Sequence, residues 1–123
     1  MTYEPLSPVA VEAKLRALVT ALTQAQQTLS KARDAEVDAE IALMRARDEI
    51  AKAAPKVARG EFTVAEREAW IDTAVRDEWE VLRRAETERK NAEDLLRVTR
   101  DQASVVQSLA RGVDTAYRLA GAA

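Results

Sequence analysis

"APKVARGEFTVAE", residues 54–66, is the one internal place where a helical reading of this chain breaks. The ring of Pro55 crowds the backbone of the residue before it, so Ala54 is pushed away from helical geometry. Gly60 follows, and then Thr63 and Glu66 stand at the spacing of a capping box. In that motif each side chain accepts from a backbone N–H left free at the start of a new helix. The stretch therefore reads as a connector over 55–63 with a fresh helix beginning at about Val64.

Outward from this point nothing else interrupts the pattern. Upstream, Ser7 followed by Pro8 supplies a side-chain cap and then a residue whose missing N–H costs nothing in the first turn. No glycine or proline occurs from there to Ala54. Downstream, the helical pattern runs to about Leu119, with Gly112 as a weak point and Gly121 as a stop signal. The expectation is an all-α, coiled-coil-like fold: a single helical-hairpin domain with helix 1 at about 8–54 and helix 2 at about 64–119. Each helix would be ~70 to 85 Å long at 1.5 Å per residue, and the short connector makes the two antiparallel neighbours.

Alternate steps of three and four residues define the seam. On helix 1 they pass through Leu15, Leu18, Leu22, Ala25, Leu29, Ala32, Glu36, Ala39, Leu43, Ala46, Ile50, Ala53 and Val57. On helix 2 they pass through Ile71, Val75, Glu78, Leu82, Ala85, Arg89, Ala92, Leu96, Thr99, Ala103, Val106, Ala110, Val113, Tyr117 and Ala120. Glu36, Glu78 and Arg89 are charged at interior positions, where a lone charge is costly. They either pair or bend to solvent at the rim, and the pattern leaves both open. Such residues often set register.

Composition narrows the chemistry. The 123 residues carry 33% charged and 4% aromatic side chains, which suits long surface-rich helices better than a thick globular core. Against 21 acidic residues stand 19 basic ones, and the formal charge of −2 makes no global case for nucleic acid or an anionic membrane. There is no cysteine and no histidine, which excludes disulfides and thiolate zinc sites and removes the commonest general base. No catalytic residue, metal site or cofactor is expected, and an enzyme is not the reading. The acidic run "DAEVDAE", 34–40, sets Asp34 above Asp38 and Glu36 above Glu40, but a helix presents such pairs in a row and does not wrap an ion. No run approaches the ~20 apolar residues that span a bilayer, and the start "MTYEPLSPVAVE" lacks the regions of a signal peptide. A cytoplasmic location, away from membranes, is the expectation.

The carboxyl end decides the partner reading. Beside the helix 2 seam lie Leu95, Val98, Val105, Leu109, Ala116 and Leu119, a second stripe one residue out of phase. Helix 1 can cover only one stripe. A fold-back near residue 59 also carries everything after about Ser108 past the start of helix 1, so the last turns have little intramolecular cover. An alanine-rich seam is a thin return besides. Burying a large aliphatic side chain yields ~1.5 to 3 kcal/mol, whereas fixing each backbone residue costs ~1 to 2 kcal/mol. Self-association into a four-helix bundle, a homodimer in its simplest form, answers both problems. Its expected interface comprises Leu95, Val98, Val105, Val106, Leu109, Val113, Tyr117 and Leu119.

Two further surfaces are expected. Val37, Ile41 and Met44 form an off-seam line on helix 1 that would join Trp70 and Trp79 near the hairpin end, where packing in the core or over the connector with Phe62 is the preferred role of both tryptophans. A heptad line on helix 2, Arg76, Arg83, Lys90, Arg97, Arg111 and Arg118, makes a basic ridge able to track phosphates. Glu86, Glu93 and Asp114 each precede a ridge cation by four residues and partly neutralise it.

The segments "PKVARGEFTVAEREAWID", 55–72, and "RDQASVVQSLARGV", 100–113, resemble stretches of small helical proteins encoded by tailed phages of actinobacteria, and the likeness covers most of the chain. It implies a phage protein made inside a bacterial host cell, and it brings no activity to any residue. The combined expectation is a non-enzymatic coiled-coil interaction or structural protein. It would associate with itself and bind a host or phage protein; a nucleic-acid-associated accessory protein using the basic ridge is the alternative.

Overall fold

The computed structural model describes residues 7–57 and 62–122. They form three helices: α1, Pro8–Ala53; α2, Val64–Ala74; and α3, Arg76–Ala122. The two long helices pack against each other as an all-α helical hairpin. Gly60, expected in the connector, lies outside the described residues.

The starts follow from local chemistry. The Ala10 N–H donates to the Ser7 hydroxyl at 3.2 Å, and the Val11 N–H donates to the Ser7 carbonyl at 3.0 Å. At α2 the Glu66 N–H donates to the Thr63 hydroxyl at 3.1 Å, the first arm of the capping box. The second arm differs from expectation, because the Glu66 carboxylate accepts from the Thr63 hydroxyl at 3.2 Å in place of a backbone N–H.

A larger departure is at Val75, where one expected helix becomes two. Its backbone sits at φ −106°, ψ 21°, far from the helical ψ, and its N–H is shared between the Ile71 and Thr73 carbonyls. Two local features favour this turn. Thr73 donates its hydroxyl to the Ala69 carbonyl at 2.9 Å, a back-bond that competes with the helix ladder, and Val75 is β-branched and stiff. The side chain of Val75 is wholly buried, so the turn seats it in the seam. Asp77 and Glu78 in the first turn of α3 then complement the new helix's positive end.

Contacts gather into two units, the first being Ser30–Asn91. Its core is Ala39, Leu43, Val75, Leu82 and Ala85, with Ala46 and Ile50 packed against it. Within this unit the Arg89 Nε–H donates to Glu36, both side chains being mostly withdrawn from water. Of the two options the sequence left, Glu36 and Arg89 adopt pairing, while Glu78 is half-buried. Arg47 spans from α1 to two carboxylates of α2, Asp72 and, at 3.0 Å, Glu68. The hydrogen bond that Arg47 donates to the Asp72 carboxylate raises the Arg47 pKa above its ordinary value, so the guanidinium stays charged until strongly alkaline pH. Arg67 donates to the Ala51 carbonyl at 3.0 Å, placing a cation on the negative end of α1.

The second unit comprises the described parts of Met1–Leu29 and Ala92–Ala123. Val11, Ala25, Leu29, Ala92, Leu96 and Thr99 are buried in it. Thr99 satisfies its hydroxyl by donating to the Leu95 carbonyl at 2.7 Å. Leu15, Leu18 and Leu22 of α1 and Ala103, Val106, Ala110 and Val113 of α3 continue the seam half-buried. Seam positions at the helix ends are open: Ala53, Val57, Tyr117 and Ala120 are exposed. Val57 falls after the last residue of α1, so no helix carries it onto the seam.

Replacing Arg89 takes from the partly buried Glu36 carboxylate the cation it faces, so Arg89→Ala should cost ~1 to 3 kcal/mol. Replacing both with leucine should cost clearly less than the two single leucine substitutions summed. Urea unfolding followed by circular dichroism measures both. By the same method Thr63→Ala should lose ~1 kcal/mol, and Thr63→Ser should keep most of it.

Candidate interaction surface

On α3, alternate steps of three and four from Leu95 pass through Val98, Gln102, Val105, Leu109, Gly112, Ala116 and Leu119. Each lies one residue before a seam position, about 100° around the helix from it. The seam side is shielded and this side is not. Leu95 is 51% exposed, Val98 47%, Val105 60%, Leu109 44% and Leu119 68%. Gln102, Gly112 and Ala116 are exposed between them, and a Cβ built on Gly112 meets no atom within 4 Å. All eight belong to the second unit. The result is a contiguous, mostly apolar face on a helix otherwise rich in charge.

The remaining expected interface residues divide. Val106 and Val113 are half-buried in the hairpin's own seam, so they are less available to another molecule than the stripe. Tyr117 is exposed. Val37, Ile41 and Met44 form a second open apolar line, on α1 in the unit Ser30–Asn91. Trp70 and Trp79 of the same unit are 38% and 41% exposed, which corrects the expectation of core packing. Phe62 and Trp70 do line one shallow depression, with Ala69, Thr73 and Ala74, so Trp70 lies beside the end of the connector as expected.

Every member of the basic line, Arg76, Arg83, Lys90, Arg97, Arg111 and Arg118, is exposed. Arg118 pairs with Asp114 at 3.1 Å, as the spacing of four predicts, whereas Arg97 pairs with Asp94, three residues before it, at 3.1 Å. In the acidic run, Asp34, Asp38 and Glu40 are exposed, while Glu36 turns inward to Arg89. Among the described residues no three carboxylates gather as a metal site, and no helix is long and apolar enough to cross a membrane.

Sequence reasoning missed the junction of Arg47 with Glu68 and Asp72. Its signal was available, because two carboxylates four residues apart share one face of a short helix.

Comparison of the chain with protein-family models, curated proteins and solved structures finds no match. The functional reading therefore rests on the geometry.

Position on the wheel separates two neighbouring valines. Val105→Ser with Leu109→Ser should leave the unfolding free energy of dilute protein within ~0.5 kcal/mol, as surface changes do. Val106→Ser, which puts a hydroxyl into the seam, should cost more than ~1 kcal/mol. Thermal melts at low protein concentration distinguish them.

Proposed function

We propose that this chain is a non-enzymatic interaction protein that self-associates through the outer face of α3 and, as an assembled helical bundle, binds a protein partner. The observation that carries the reading is the row Leu95, Val98, Val105, Leu109 and Leu119, apolar at helical spacing and open along its length. Isolated exposed apolar residues need no explanation, but a continuous row of them is the mark of an association surface. A helix face of this kind is covered by another helix laid along it. The Val37, Ile41 and Met44 line offers a separate place for a host or phage protein. A phage origin and a role inside a bacterial host cell belong to this proposal through the sequence resemblance alone.

The second reading, a nucleic-acid-associated accessory protein, is favoured by the exposed basic line. The ion pairs of Arg97 and Arg118 weigh against it, since each offsets a charge that phosphate contact would use.

Light scattering across a dilution series tests the first reading: the average mass should fall toward the monomer on dilution, and Val105→Ser with Leu109→Ser should hold it there at all concentrations. A monomeric wild-type chain throughout would defeat self-association. Retention of DNA or RNA at low salt, lost when Arg83, Lys90 and Arg97 are reversed in charge with the mass unchanged, would establish the second reading instead.

A further inference from the structure

We infer that two copies lay α3 against α3 in antiparallel sense, about a two-fold axis at the level of residue 107, with Asp101 of each copy beside Arg111 of the other. This deepens the self-association proposed above and rests on it.

A two-fold contact requires a face to be complementary to itself. About residue 107 the stripe meets that condition position by position. Leu95 comes level with Leu119 of the partner subunit, Val98 with the partner's Ala116, Gln102 with the partner's Gly112, and Val105 with the partner's Leu109. Aliphatic residues meet aliphatic residues at the centre and both ends. The one polar side chain of the stripe, Gln102, comes level with the position that has no side chain at all. The open space around Gly112 leaves room for it.

Charge sets the sense. Asp94 and Asp101 flank the amino-terminal half of the stripe, and Arg111 and Arg118 lie on the same side of the carboxyl-terminal half. An antiparallel pair brings the acidic half of each copy to the basic half of the other, whereas a parallel pair leaves the two halves at different levels. Asp94 and Arg118 already have intrachain partners, Arg97 and Asp114. Asp101 and Arg111 are in no ion pair among the described residues, and this arrangement brings them within about two residues of the same level.

Extent sets the strength. From Leu95 to Leu119 the stripe is ~36 Å long. Two such strips in contact remove on the order of 1,000 Å² from water, close to the ~1,200 Å² at which specific interfaces begin. A reversible dimer is the consequence.

The chain has no cysteine, so single cysteines report on neighbours directly. Val98→Cys and Ala116→Cys proteins, mixed in a thiol–disulfide exchange buffer, should give the 98–116 disulfide well above its statistical share. Val98→Cys alone should give little dimer, because its two sulfurs would lie ~27 Å apart along the axis. Predominant 98–98 and 116–116 disulfides would overturn the antiparallel sense. In parallel, Asp101→Arg and Arg111→Asp should each weaken the dimer at least threefold in sedimentation equilibrium, and the double variant should regain affinity. Loss in the double variant equal to the sum of the two overturns the Asp101–Arg111 contact. Wild-type protein that sediments as a monomer at every concentration defeats the self-association reading itself; a wild-type dimer without the mixed disulfide defeats only this arrangement.

Discussion

Two helices can shield only one face of each other, and that geometric limit governs what this chain is. Its seam is narrow, with alanine at alternate turns along most of α1, so the helices gain contact through close approach more than through bulk. The apolar surface of α3 is broader than such a seam can cover. The chain therefore has an inner row that completes its own fold and an outer row that does not. Charge is placed with the same economy. The Arg89–Glu36 pair occupies the one level at which both helices put a charge on the inner row, and Arg47 of α1 and Arg67 of α2 tie those two helices together.

The inner row was legible because it depends only on periodicity. Steps of three and four residues located Ala25, Leu29, Ala39, Leu43, Leu82, Ala92 and Leu96, all buried, without any knowledge of tertiary contacts. Helix starts were legible for a related reason: a cap is a contact between residues three apart. The break at Val75 was not, since no proline or glycine marks it. It arises where a back-bonding threonine, a stiff valine and the ties of α2 to Arg47 coincide, and only folded geometry brings those together.

The outer row was equally readable as a pattern one residue out of phase with the inner one, but the expected interface drew on both rows. Val106 and Val113 stand beside Val105 and Gly112 in the chain yet belong to the other row, and a rotation of about 100° decides which molecule they serve. The tryptophans show the reverse failure. Large aromatics are expected indoors, but Trp70 on α2 and Trp79 on α3 flank the Val75 turn on helices too thinly covered to enclose them.

Their location makes the molecule its own optical instrument. Both indoles belong to the unit Ser30–Asn91, and the described aromatic of the other unit is Tyr117. Indole emission thus follows one half of the contact map, while ellipticity at 222 nm follows every helical turn. Should melting begin where α3 ends, the peptide signal will decline while the fluorescence still reads as native.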